Sequence, residues 1–156
     1  MTSKTKVNDG FFLEKGFLIS TDQSLLDIQF IHHFLDQESY WAKGIPLERL
    51  ETAIKNSLCF GIYHQNKQIG FARVITDFAV FAYLADVFIT PEYRKQGLSK
   101  WLIQTILQHQ DLQDLKRWLL ATADAQELYR GFGFEKINNP DNYMQIFNPY
   151  IYSTLS

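Results

Sequence analysis

Between residues 80 and 122 the chain passes from one apolar run, through a turn marked by Pro91, into an amphipathic stretch and then into a second apolar run. Residues 80–89 lack the alternation of a half-exposed strand and read as a strand near the centre of a sheet. From Leu98 the apolar residues recur at Leu98, Leu102 and Ile106, with Trp101, Ile103 and Leu107 widening the stripe, so a helix lies against that sheet. Residues 116–122 form the next strand. A helical crossover joins it to the first, which makes the two strands parallel.

The flanking segments extend this frame. Residues 58–63 and 68–76 have period two and are separated by Gln65-Asn66-Lys67, a hairpin signal. Upstream, Phe17, Leu18 and Ile19 suggest a strand. Thr21 or Asp22 then caps a helix carrying Leu25, Leu26, Ile28, Phe30, Ile31, Phe34 and Leu35. A second helix turns Leu47, Leu50, Ala53 and Ile54 inward. Downstream, a short helix ends near Gly131 and a further strand begins at 134–137. The aromatic tail, broken at Asn139-Pro140 and Asn148-Pro149, is expected to add a last strand and cover the core, with a homodimer contact as its alternative use. Residues 1–10 are polar and expected to be loosely held. No repeat or interdomain linker divides the 156 residues, so one α+β domain is expected.

Composition narrows the function classes. A formal charge of −2 lacks the basic excess of nucleic-acid-binding domains, and no apolar run is long enough to span a membrane. Cys59 is the only cysteine, and the N-terminus is not signal-like, which points to a reducing cytoplasm. His32, His33, His64 and His109 lack the spacing of a metal site, so no metal is assigned.

The segment ITPEYRKQGLSK, residues 89–100, has the order of an anion site. A strand entering a turn and then a helix leaves the first helical N–H groups without intrahelical partners. Gly97 lets a phosphate approach the backbone, Arg94 offers a planar fork of donors, Lys95 adds charge and Ser99 adds a hydroxyl. The P-loop and dinucleotide fingerprints are both absent. A solvated surface turn is the competing reading of the same residues.

Arg94-Lys95-Gln96-Gly97-Leu98-Ser99, after Ile89-Thr90-Pro91, resembles motif A of the GNAT superfamily of acyl-CoA-dependent N-acyltransferases: Gln or Arg, two residues, Gly, one residue, then Gly, Ala or Ser. Further along, Leu119-Leu120-Ala121-Thr122, then Asp124-Ala125-Gln126-Glu127-Leu128-Tyr129, then Gly131-Phe132-Gly133-Phe134 resemble motif B. The likeness is close over residues 57–137 and looser before them. It implies a central mixed, mostly antiparallel sheet flanked by helices, and an N-acetyltransferase that uses acetyl-CoA.

The resemblance also implies residue roles. Arg94, Lys95, Gln96, Gly97, Leu98, Ser99 and Lys100 would grip the pyrophosphate of coenzyme A, while the backbone of Val87, Phe88 and Ile89 would pair with its pantetheine arm. Asp124 would face that arm, standing where many members have Asn. A carboxylate there accepts hydrogen bonds but cannot donate them. Tyr129 falls at the family's Tyr, whose phenol protonates the leaving thiolate.

Asp86 interrupts an apolar strand, and Arg73 interrupts its neighbour. They form a structural ion pair, or Asp86 takes the amine proton while Arg73 orients the acceptor. Tyr40 and Trp41, between the first two helices, are candidates for an aromatic wall around an acceptor amine, small-molecule or peptide. Core packing is the other use of Trp41. No cysteine suits a covalent acyl intermediate, so direct transfer is expected. A non-catalytic CoA-binding or protein-interaction domain is the alternative.

Overall fold

The period-two segments after residue 57 become one mixed sheet of five strands in the order β1-β2-β3-β4-β5 in a computed structural model that describes residues 7–155. The strands are β1 (Phe17–Ser20), β2 (Leu58–His64), β3 (Lys67–Thr76), β4 (Phe81–Ile89) and β5 (Arg117–Leu120). β1 to β4 pair antiparallel, and β5 joins β4 in parallel, as the crossover through a helix requires. The β2–β3 hairpin turns through Gln65 and Asn66, both at positive φ (49° and 72°). That pair of left-handed residues is what a two-residue turn between twisted strands needs.

Side-chain alternation builds a core on each face. Phe60, Ile62, Ala72, Val74, Ala82 and Leu84 pack toward α1 (Asp9–Glu14), α4 (Leu98–Leu107) and α5 (Gln126–Arg130). Cys59, Phe71 and Phe88 pack on the other face against α2 (Ile28–His33) and α3 (Leu47–Lys55). β4 changes faces part-way: Ala82 and Leu84 point to the first core, yet Phe88 points to the second and Ile89 to the first. The cause is a bulge. Arg73 pairs with Ala85 and Phe71 with Phe88, so Ala72 stands opposite both Asp86 and Val87. One extra residue inverts every side chain after it. Asp86 takes up the excess with φ 56°.

Several elements differ from the sequence expectations. The first helix is divided: Asp22 caps a 3₁₀ turn (Gln23–Leu25), Leu26 is extended, and Asp27 caps α2 by accepting from the Phe30 N–H at 3.0 Å. Two competing capping carboxylates within a few residues break what apolar spacing alone joins. A wider π turn (Phe34–Glu38) follows α2. Of the residues expected to be loose, 1–6 lie outside the described residues, while Val7 is held by a two-way amide exchange. Its N–H donates to Gln104 Oε1 at 2.7 Å, and Gln104 Nε2 donates to its carbonyl at 2.8 Å. Asp9 accepts from Trp101 Nε1 at 2.6 Å.

The strands expected at 134–137 and in the tail are absent. After α5 the chain runs to a short α6 (Ile151–Thr154) without joining the sheet. The tail covers the core only in part: Tyr152 packs against the core under α2 and α3, while Met144 is 97% exposed and Ile146 105%. Among the described residues no helix is long and apolar enough to cross a membrane.

Tyr63 on β2 has the one buried side-chain polar atom without a hydrogen-bond partner among the described residues, its hydroxyl. The ring lies over Gly61, where any Cβ would collide with it. Burial first, and the Asp22 charge second, push the Tyr63 phenol up to about 12. Burial likewise raises the Cys59 thiol to about 12. Both groups keep their protons longer in the folded chain than in the unfolded one. Their contribution to stability is therefore complete below pH ~9 and is lost as pH rises toward ~12. Tyr63→Phe should leave stability at neutral pH unchanged or raise it by about 1 kcal/mol, since it removes an unsatisfied hydroxyl. It should also flatten the fall of Tm above pH ~10. Thermal melts of both chains across that range are the check.

Candidate active site

β4 outruns β5, and this mismatch opens the sheet. β4 spans nine residues and β5 four, and their pairing stops at Leu84 opposite Leu120. Beyond Leu84 the backbone of Ala85, Asp86, Val87, Phe88 and Ile89 has β3 on one side and no strand on the other. The free N–H and C=O groups along that edge can pair with an extended ligand as another strand would. The side chains of Phe88 and Ile89 point away into the two cores, with Phe88 stacked on Phe34 at 3.8 Å between centroids. What this edge offers a ligand is backbone.

At the lower end of the open edge lies the turn singled out in the sequence. Gly97 caps α4 in the left-handed region (φ 84°), and no side chain caps the helix. The first intrahelical bond there runs from Trp101 N–H to the Gly97 carbonyl, which leaves the N–H groups of Leu98, Ser99 and Lys100 for a ligand. A hollow of about 190 Å³ sits over them, lined by Arg94, Lys95, Gly97, Leu98, Ser99 and Lys100 among others. Arg94 is oriented by its own Nε, which donates to the Ile89 carbonyl at 2.9 Å and leaves the two terminal nitrogens of the fork for an anion. Lys95 is itself left-handed (φ 64°). Gln96 is exposed and does not line the hollow.

The loop rests on a support that motif reading missed. Phe12 of α1 lies beneath Gly97 and stacks on Trp101 at 4.8 Å. Two signals for this were in the sequence: an Asn8 cap before an apolar pair, Phe11-Phe12, and a tryptophan one turn into α4.

The upper end of the edge gathers the remaining candidates. Arg73 Nε donates to Asp86 Oδ2 at 2.7 Å, Trp41 Nε1 donates to Asp86 Oδ1 at 2.8 Å, and Arg73 Nη1 reaches Ser57 Oγ at 3.2 Å. Arg73 and Asp86 therefore form the ion pair expected of them, with side chains only 16% and 9% exposed. Trp41 packs edge-on to Tyr40 at 5.1 Å, and the Tyr40 hydroxyl accepts the Ala123 N–H at 2.9 Å, tying this aromatic pair to the loop after β5. Both rings remain exposed, Tyr40 at 58% and Trp41 at 41%.

Tyr129 on α5 is 8% exposed. Burial, then the nearness of Tyr40 and of the Asp124 carboxylate, raises its phenol to about 12. Its hydroxyl makes no hydrogen bond among the described residues. Asp124 is exposed on the loop that starts α5, and Thr122 accepts the Ala125 N–H there at 3.1 Å. Cys59 lies buried in the core under α3, opposite Arg73 in the β2–β3 register. Among the described residues no group of three or more His, Cys, Asp or Glu could hold a metal ion, and His32 is engaged with the Ile45 carbonyl.

A family model described as an acetyltransferase (GNAT) domain matches residues 55–136. A provisionally assigned acetyltransferase of Gibberella zeae is 32% identical over 133 residues, covering 72% of this chain and 75% of its own. The crystal structure of a provisionally assigned GNAT-family acetyltransferase from Xanthomonas campestris pv. campestris is 49% identical, with a TM-score of 0.86 over 88% of this chain and 96% of that one. A GNAT family acetyltransferase from Elizabethkingia anophelis, crystallised with acetyl-CoA bound, shares the fold at a TM-score of 0.59 and 15% identity, over 85% of this chain and 89% of that one. The five-stranded mixed sheet flanked by helices is the architecture of these proteins, and the chain belongs to the GNAT family of acetyltransferases.

Proposed function

We propose that the chain is an acetyl-CoA-dependent N-acetyltransferase that passes the acetyl group directly to a primary amine while both substrates are bound. The observation that carries this reading is the single continuous edge from the phosphate-sized hollow at Gly97, along the unpaired backbone of β4, to Tyr129 and Asp86. The uncapped start of α4 suits a pyrophosphate, because its N–H groups and Arg94 supply donors without requiring any buried charge. The relative with acetyl-CoA bound supports the same choice of donor.

Acetyl-CoA supplies an activated thioester. Leu98, Ser99 and Lys100 N–H groups, with Arg94 and Lys95, hold its pyrophosphate, and Gln96 flanks them. The backbone of Val87, Phe88 and Ile89 receives the pantetheine arm, with Asp124 accepting a hydrogen bond from the far side. A backbone N–H of the open β4 edge polarises the carbonyl oxygen on which negative charge develops.

Asp86 faces the amine. Arg73 and Trp41 each occupy one of its oxygens, and the remaining lone pairs accept the amine proton directly or through one water. The amine nitrogen forms the new C–N bond, the C–S bond breaks, and the Tyr129 hydroxyl donates its proton to the departing sulfur. Tyr40 and Trp41 wall the acceptor, where exposed rings favour a cationic or flat amine. A small-molecule amine and a peptide amine both fit that description.

Acetyl-CoA should raise the Tm of the protein, and Arg94→Ala should weaken its binding by about 10- to 100-fold through the loss of charge-assisted bonds. Calorimetric titration reads this, and no stabilisation by acetyl-CoA or CoA defeats the proposal. With an amine panel and thiol release as the assay, Tyr129→Phe should lower kcat by about 100-fold or more with little change in acetyl-CoA affinity. Because the Tyr129 phenol holds its proton to about 12, that loss should appear as a lower plateau with neither pH limb moved. Asp86→Asn, whose amide tolerates the left-handed backbone, should remove the acidic limb of the pH–rate profile. An acidic limb that persists takes the proton-accepting role away from Asp86.

A further inference from the structure

The ion pair of Arg73 and Asp86 stands at a border. On its face of the sheet α2 and α3 bury Cys59, Phe71 and Phe88, and Cys59 lies opposite Arg73 in the β2–β3 register. Beyond Arg73 the same face is bare. Ile75, two residues on, shares the side of Arg73, and it pairs with Tyr83, which in turn pairs with Leu119. Paired residues on adjacent strands share a face, so these three side chains form one row across β3, β4 and β5. Their neighbours Val74, Leu84 and Leu120 turn to the first core, while Ile75, Tyr83, Ala85 and Leu119 belong to neither core. Ile75 is 41% exposed, and Tyr83 and Leu119 are half-buried.

This row runs into the reactive end of the cleft. Asp86 lies three residues beyond Tyr83 on β4, about 10 Å along an extended strand, with Ala85 between them. The exposed ring of Trp41, bonded to Asp86, stands at the same end. Charge along the row is one-sided. Asp86 is the one carboxylate on this face of β3, β4 and β5 among the described residues. Arg117, two positions before Leu119 and so on the same face, stands at the far end, its guanidinium against the Tyr143 ring. Asp77, in the turn after β3, is engaged by the N–H groups of Ala79, Val80 and Phe81. Asp124 lies beyond the end of β5, near Tyr129 and off the row. A bound amine therefore meets a carboxylate at one end, apolar side chains along its length and a guanidinium past them. A second ammonium on the same molecule gives up its hydration for apolar surface and a like charge.

We propose that the acceptor is a small primary amine carried on an apolar chain or ring, which lies along Ile75, Tyr83 and Leu119 while its nitrogen faces Asp86. Tyr83, at the middle of the row, sets this specificity, and diamines and polyamines are poor acceptors. The proposal rests on the acetyl-transfer reading of the site and goes beyond it by naming the class of acceptor.

Thiol release at saturating acetyl-CoA, with ethylamine, pentylamine, phenylpropylamine and cadaverine as acceptors, tests this. From ethylamine to pentylamine kcat/KM should rise about two- to fourfold per methylene, as each CH₂ leaves water for the row. Phenylpropylamine should exceed ethylamine by at least about 30-fold. Cadaverine, which is pentylamine with a second ammonium, should fall at least about tenfold below pentylamine. Tyr83→Ser should raise KM for pentylamine about tenfold while leaving its kcat, the rate with ethylamine and the affinity for acetyl-CoA unchanged, the pattern of lost binding along the body of the acceptor. Ile75→Ser, at a more exposed position that the fold tolerates more readily, should give the same pattern to a smaller extent. A flat alkyl series, a preference for cadaverine, or variants that slow ethylamine as much as pentylamine overturn the proposal and leave acetyl transfer standing. No transfer to any amine overturns both.

Discussion

One left-handed residue in β4 organises the open side of the sheet. Asp86 holds φ 56° because a bulge must absorb the extra residue on β4, and a non-glycine residue in that region is held there by its surroundings. The surroundings are Arg73 and Trp41, each bonded to one carboxylate oxygen. With the pair mostly buried, loss of either partner leaves an uncompensated charge, at a cost of about 3–5 kcal/mol. The same bulge turns Phe88 into the core under α2 and returns Ile89 to the core under α4. The backbone beyond Leu84 is thus locked to β3 by packing on both faces while its other edge is free. Structural ion pair and candidate proton acceptor are two aspects of one arrangement, because the contacts that hold the bulge also aim the carboxylate.

The support continues downward without interruption. β4 ends at Ile89, whose carbonyl fixes the Arg94 side chain, and the left-handed Gly97 opens the start of α4 above Phe12. Phe12 in turn is stacked on Trp101, and Trp101 is bonded to Asp9. The exposed phosphate-sized hollow therefore rests on a fully packed floor drawn from α1 and α4. An anion site built on backbone N–H groups needs such rigidity, since the donors cannot move to meet the ligand.

How much of this could be read from the residues follows the range of the interactions. Arg94 to Ser99 were legible because a turn, a glycine and a helix start are all set by neighbours in sequence, and the Asp86–Arg73 pair was legible because each charge interrupts an apolar run. The bulge was not, since it exists only in the count of one strand against another. The bond from Trp41 to Asp86 joins residues 45 apart and leaves no local pattern. The first helix was misjoined because apolar spacing continues through Leu26 while the capping of Asp22 and Asp27 divides the backbone. Thr122 looked like a strand residue, and its role as the acceptor for Ala125 appears only where the loop closes.

The tail shows a different limit. Tyr143, Met144, Ile146, Phe147 and Tyr150 have the composition of core residues, which is why they read as a last strand covering the molecule. Composition reports that a segment suits burial; it does not report whether the fold leaves a place for it. Leaving those side chains in water forgoes roughly 1.5–3 kcal/mol for each large apolar residue, and leaving the β5 edge bare exposes a template for pairing. The open half of the sheet along β4 and the bare outer edge are the two sides of the same short β5, so both openings border a strand only four residues long.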